Sequence, residues 1–236
     1  MLWWVQAAEA AGCETVTYAD IAAVQGPAVV VLGERHGMQP DLARATRIVR
    51  GFARRGPVTV ALEAIHRDLQ PTLDDYAAGQ FDTDDLEARL NWKKAWGFPY
   101  APYAALVSGA LSGAKVIAAG IALGPAPEGV TTPVPSGYLP ILRDAMSGHD
   151  VPPEREPAFL ASMAWRDYAI GEAALNGWDG QGVLVVVTGR GHVEGGKGVA
   201  WQIDQRTDVP VSSFVLAWGS NPACYAGDKV WRGLFG

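Results

Sequence analysis

The sequence is poor in cysteine and contains no long apolar run. Its only two cysteines, Cys13 and Cys224, lie near opposite ends of the 236 residues, and neither has a second cysteine or a histidine at metal-ligand spacing. That spacing excludes a zinc–thiolate site and leaves open whether the two cysteines pair. No apolar stretch reaches the ~18 residues that a membrane span requires. We therefore expect no transmembrane segment.

Positive charge is also scarce. The formal net charge is -6, whereas phosphate recognition needs a clustered positive face. The nearest basic cluster, at residues 44–55, has helical spacing. Such spacing is typical of a solvated helix face, with contact to an anionic ligand as the alternative. We expect no nucleic-acid partner.

Several common enzyme motifs are missing. The stretch Gly189–Glu194 lacks the third glycine of the dinucleotide fingerprint, and no Walker lysine motif or Gly-x-Ser-x-Gly elbow occurs. The first nine residues have no basic segment and only a short apolar stretch, so they do not resemble a secretory signal. We expect either a cytoplasmic protein or a trimmed piece of an exported one.

Two copies of a Gly-x-x-His motif follow apolar β-runs. Gly33–His36 follows residues 28–32, and Gly189–His192 follows residues 183–188. Both runs are β-branched without alternation, which is typical of strands buried on both faces of a parallel sheet. A third such run, residues 58–62, ends at Glu63.

Open α/β sheets bind ligands at the carboxyl ends of their strands. We therefore expect His36, Glu63 and His192 to converge at one edge of the sheet, as a divalent-metal site or a general-base site. The alternative is that each histidine is only a loop residue or a cap. The repetition of the motif favours a shared site.

Helical periodicity separates the apolar runs, as expected for strand–helix–strand units. The predicted helices cover residues 41–55, 66–78, 83–90, a segment ending near 113, 138–147, 156–175 and 199–205. Further strands are predicted at residues 115–119 and 211–216. The sequence thus predicts an α/β fold, a single domain over residues 1–236 with a mostly parallel central sheet of about five core strands flanked by helices.

An aromatic segment lies between the predicted helix at residues 83–90 and the predicted helix that ends near residue 113. It contains Trp92, Trp96, Phe98, Tyr100 and Tyr103. So many rings in one short connection predict the wall or lid of a pocket. The alternative is that they fill the core between helices.

The order of these motifs resembles the ChaN-like haem-binding uptake family, within the Tiki and erythromycin-esterase superfamily. The resemblance covers about residues 25 to 205. It is carried by Val31–His36, Ala61–Glu63, Arg67–Tyr76, Trp92–Tyr103 and Gly189–His192.

The resemblance implies a haem- or iron-handling binding protein. ChaN-like proteins are typically bacterial lipoproteins, and a member binds haem at a dimer interface, which implies a homodimer here. Trp96, Tyr100 and Tyr103 are the predicted haem-contacting residues, the two tyrosines because they belong to the aromatic wall.

The Tiki and esterase relatives imply an alternative, a metal-dependent hydrolase acting on a small peptide or ester. In that case His36, Glu63 and His192 would hold a divalent ion such as Zn, Mn, Co or Fe. Glu34 would then act as the general base that takes a proton from the bound water.

Overall fold

A parallel β-sheet organises the chain. The structure, a computed structural model, describes residues 12–111, 113–122, 124–146, 152–218 and 225–233. Its strands are β1 (Glu14–Val16), β2 (Ala28–Glu34), β3 (Val58–His66), β4 (Lys115–Gly120), β5 (Val183–Gly189), β6 (Val211–Trp218) and β7 (Lys229–Gly233). They lie in the order β1-β7-β6-β2-β5-β3-β4, and every pairing is parallel.

The predicted α/β class with a parallel central sheet is confirmed. The five strands expected from apolar runs are β2 to β6, and two short strands that the sequence analysis did not predict extend one edge. β1 and β7 pair only with partners at that edge. Cys13, next to β1, is disulfide-bonded, and Cys224 lies outside the described residues.

Nine helices flank the sheet in the described part of the chain. They are α1 (Tyr18–Ala22), α2 (Gln39–Ala53), α3 (Gln70–Ala77), α4 (Thr83–Arg89), α5 (Trp92–Ala95), α6 (Ala101–Leu111), α7 (Tyr138–Met146), α8 (Glu156–Gly177) and α9 (Val199–Asp204). None of these helices has the length and hydrophobicity needed to cross a membrane. Residues 1–11, which were judged not to resemble a secretory signal, and residue 147, at the predicted end of one helix, lie outside the described part.

Two hydrophobic layers cover the two faces of the sheet. Because side chains alternate along a strand, Val30 and Leu32 of β2 pack with residues of α2 and α6, whereas Val29 and Val31 pack with residues of α8 and α9. All residues of β2 and β5 are buried. Continuous β-branched runs are thus explained by burial on both faces.

β3 is longer than the sequence indicated. It continues past Glu63 to His66, which pairs with Gly120 of β4 after a register shift. The helix expected from residue 66 therefore begins at Gln70, after a 3-10 turn at Arg67–Leu69. The register shift lies between Leu62 and His66, so this irregular stretch includes Glu63.

Candidate functional site

The two Gly-x-x-His motifs lie side by side. β2 and β5 are hydrogen-bonded neighbours, with Gly33 opposite Thr188 and Glu34 opposite Gly189. β3 pairs with the other side of β5, with Leu62 opposite Val187. Glu34, Glu63 and Gly189 therefore lie at neighbouring levels near the carboxyl edge of the sheet, although β3 continues three residues beyond Glu63.

His192 is held between two carboxylates. Its Nδ1 lies 2.7 Å from Asp167 Oδ1, and its Nε2 lies 3.2 Å from Glu63 Oε1. The residue is only 4% exposed. Burial disfavours the charged imidazole, but the charges of Glu63 and Asp167 outweigh burial and raise the pKa of His192 to about 10. His192 is therefore an imidazolium at neutral pH.

Glu63 is fully engaged. Its Oε1 accepts a hydrogen bond from Arg166 Nη2 at 2.7 Å, in addition to the contact with His192. Its Oε2 accepts from Thr188 Oγ1 at 2.5 Å and from the Gly189 amide at 2.7 Å. Burial alone would raise the pKa of this carboxyl, yet His192 and the other nearby cations hold it well below its usual value. Glu63 is therefore a buried, charged acceptor.

The second histidine forms a separate pair. His36 Nδ1 lies 2.7 Å from Glu34 Oε1, which also accepts a hydrogen bond from the Tyr103 hydroxyl at 2.7 Å. The imidazole lies 5.2 Å from the Trp96 ring and stacks on the Phe98 ring at 5.7 Å. Burial opposes protonation, but the hydrogen bond to Glu34 raises the pKa of His36. Unlike His192, this side chain is 32% exposed.

Both pairs open onto one cavity of ≈ 740 Å³. Glu34, His36, Glu63 and His192 line it. Apolar walls come from other elements, including Ile65, Leu69, Trp92, Trp96, Phe159 and Met163. The arrangement is a polar floor at the end of the sheet beneath an apolar chamber, which suits an amphipathic ligand.

The aromatic segment has two roles. Trp92 and Trp96 line the cavity, as the wall hypothesis predicts. Tyr100 and Tyr103 do not line it; both rings are buried in the core, 6% and 1% exposed. Trp92 packs against both rings. Their contact with a ligand stays a prediction.

The predicted metal centre is not supported either. Among the described residues, no group of three or more His, Cys, Asp or Glu side chains is arranged to hold a metal ion. The reason is visible at Glu63, whose oxygens are occupied by Arg166 and by Thr188 and Gly189.

The sequence analysis did not include Asp167, Arg166 or Tyr138 in the site. The hydroxyl of Tyr138 donates to Asp167 Oδ2, which completes the support of His192. Asp167 is fully buried on α8, on the same side as Met163 and Ile170. A charged residue within an apolar helical stripe was the signal available in the sequence.

The chain has an open parallel α/β sheet with a cavity at the carboxyl ends of its strands, the place where sheets of this class bind their ligands. A family profile described as "Haem-binding uptake, Tiki superfamily, ChaN" matches residues 21–126 and 115–203. The chain belongs to this family, which confirms the resemblance found in its motifs. A comparison with curated proteins found no significant match.

Two solved structures share the fold. The first, of ChaN from Campylobacter jejuni, is described as showing cofacial heme binding; it is 18% identical, with 86% of each chain covered and a TM-score of 0.67. The second is RRSP, a MARTX toxin effector domain from Vibrio vulnificus CMCP6. It is 15% identical, with a TM-score of 0.54, over 92% of this chain and 39% of that one.

Proposed function

We propose that the protein binds haem in the cavity at the carboxyl edge of its sheet. The observation that carries this proposal is the cavity itself, ≈ 740 Å³ with walls that include Trp96, Phe159 and Met163. Ligand pockets of ~300–1,000 Å³ with mostly apolar walls bury most of a ligand's surface. Haem is a flat apolar ring with two carboxylates, and membership of a haem-binding family supports the choice.

The cationic groups of the polar floor fit the haem carboxylates. Arg35, Arg166 and Arg190 line the cavity beside the two motifs. Arg166 Nε is buried and has no hydrogen-bond partner among the described residues. A ligand carboxylate that reached the Arg166 guanidinium from the cavity would make a charge-assisted hydrogen bond with it.

Titration with hemin, followed at the Soret band, tests the proposal. We expect saturable binding at one hemin per chain, with a shifted Soret band. Ala122 lines the cavity and is exposed, so Ala122→Trp should block binding without disturbing the core. Ala88→Trp, on the exposed side of α4, is the matched control. Binding that both variants retain would contradict the cavity as the site.

The oligomeric state belongs to the same experiment. The family resemblance implies a homodimer, and haem at a dimer interface would couple binding to assembly. Analytical ultracentrifugation of the hemin-loaded protein should then show twice the mass of the chain. A loaded monomer would restrict the site to one chain.

A second candidate is hydrolysis of a small peptide or ester. One observation favours it: two histidine–carboxylate pairs face the same cavity, and they differ in exposure. His36, oriented by Glu34, is the accessible group for proton transfer. The cationic cluster of His192 and Arg166 would stabilise negative charge developing on a substrate carbonyl.

A panel of peptides and esters, with and without added divalent ions, tests this second function. His36→Asn should abolish turnover while the protein stays folded, because the amide cannot accept the proton. If a divalent ion increased turnover, the prediction that Glu63 is a metal ligand would be supported. A wild type that cleaves no substrate under either condition would leave only the binding function.

A further inference from the structure

The two edge strands of the sheet differ in length and burial. β1 forms one edge with three residues, Glu14–Val16, of which the first two are exposed. β4 forms the other edge with six residues, Lys115–Gly120, and all but the first are buried. An edge strand offers amides and carbonyls to any further strand, and a very short edge strand limits that pairing. β4 is not short, so its edge needs another form of protection.

The composition of β4 favours pairing with a further strand. Val116 and Ile117 are β-branched, the strand contains no proline, and its only charge is Lys115. That charge is directed away from the edge, because Lys115 Nζ donates a hydrogen bond to the Gly177 carbonyl of α8 at 2.8 Å. A groove of ≈ 340 Å³ lies along β4 between α3 and α8, and Ile117 and Ala118 line it. The edge can therefore be reached through this groove.

The side-chain amide of Gln70 covers the edge at the groove. Its Nε2 donates to the Val116 carbonyl at 3.1 Å, and its Oε1 accepts from the Ala118 amide at 2.7 Å. One residue of a parallel neighbouring strand would make the same pair of bonds, because it donates to one residue and accepts from the residue two positions further along. The Gln70 amide therefore takes the place of one strand residue.

Asp74 fixes the orientation of that amide. Its Oδ1 accepts a second hydrogen bond from Gln70 Nε2, at 2.9 Å. A carboxylate can only accept, so the nitrogen must point towards Asp74 and the oxygen towards the Ala118 amide. Gln70 is also the first residue of α3, and it does not line the cavity at the carboxyl edge. Its contacts thus serve the edge of the sheet and not the proposed haem site.

We infer that Gln70 is an edge plug, which keeps β4 of a second copy of this chain from adding to the sheet. The second copy is the relevant partner because identical edges can pair about a two-fold axis, in which both chains use the same surface. Such pairing would be antiparallel and would need the Val116 carbonyl and the Ala118 amide that Gln70 occupies. The plug is independent of haem binding.

Sedimentation of full-length variants tests the inference, at a temperature where circular dichroism shows each of them folded. Gln70→Ala should reach at least about twice the mass of the wild type as its concentration rises, because the smallest product of edge pairing joins two units. Its infrared spectrum should gain the amide I band of intermolecular β-sheet. Gln70→Asn keeps the amide but is one methylene shorter, so it should associate as well, and it replaces Gln70→Ala if that variant does not fold.

Two controls distinguish edge protection from a loss of stability. Gln70→Glu also loses the donor to the Val116 carbonyl, but it places a charge on the edge, which opposes strand pairing. We expect this variant to be destabilised and yet to keep the mass of the wild type. Gln80→Ala, at an exposed position after α3, should change neither property.

Two results would overturn the inference. One is a folded Gln70→Ala or Gln70→Asn variant with the mass and infrared spectrum of the wild type at every concentration. The other is association of Gln70→Glu to the same extent as Gln70→Ala, because destabilisation alone would then explain both.

Discussion

Replacing Glu63 by Gln should destabilise the fold strongly, although the two side chains have nearly the same shape. Glu63 lies between two cations, His192 at 3.2 Å and Arg166 at 2.7 Å, and its side chain is only 1% exposed. Removing one partner of a buried ion pair typically costs about 3–5 kcal/mol, because the remaining charge is left uncompensated. Asp167 still contacts His192, so we expect a loss near the lower end of that range.

The assay is urea denaturation at pH 7, with the free energy of unfolding compared at constant slope. Glu156→Gln is the matched control. Glu156 pairs with Arg143 on the surface, where the two side chains are 28% and 55% exposed. Exposed pairs contribute about 0–1 kcal/mol. Equal losses for the two variants would refute the view that Glu63 compensates a buried cationic cluster.

Three further predictions follow from neighbouring contacts. The pKa of His192 is raised to about 10, so the protonated side chain stabilises the fold fully below about pH 6.5. This contribution should decline as pH rises towards 10, and the free energy of unfolding measured across that range tests it. Tyr103→Phe should cost about 1.5–3 kcal/mol by removing a donor to a buried carboxylate. Tyr100→Phe should be neutral or stabilising, because that buried hydroxyl has no hydrogen-bond partner among the residues that the structure describes; unequal melting temperatures test the pair. Gly189→Ala should cost about 1–3 kcal/mol, because the added methyl group would press on the His36 imidazole. Gly191→Ala should cost little, because a methyl group there has open space. A chemical-shift change of the His36 imidazole in Gly189→Ala alone would support the contact.

The sheet could be predicted because its strands carry a local signal. Continuous β-branched runs such as Val29–Val31 occur where both faces are covered, and they identify a strand without any knowledge of its partners. β1 and β7 carry no such signal. Glu14–Val16 is too short, and Lys229–Gly233 is too mixed in polarity, so their pairing depends on the fold bringing the two ends of the chain together.

The position of the site at the ends of the strands could be predicted from the sequence, but its side-chain contacts could not. That His36, Glu63 and His192 share one edge follows from the parallel sheet. What each side chain contacts there does not. The hydrogen bond from Tyr103 to Glu34 joins residues 69 positions apart, and the occupation of Glu63 by Arg166 depends on how α8 crosses the sheet. A metal site was expected because the sequence shows which residue types lie at the strand ends, but it does not show which side chains they contact.

A crystal structure of the hemin-loaded protein tests the central claim most directly. The account predicts a porphyrin in the cavity above the two Gly-x-x-His motifs, with its ring beside Trp96 and its carboxylates near Arg166. Porphyrin density on any other surface, with this cavity filled by solvent alone, would contradict it.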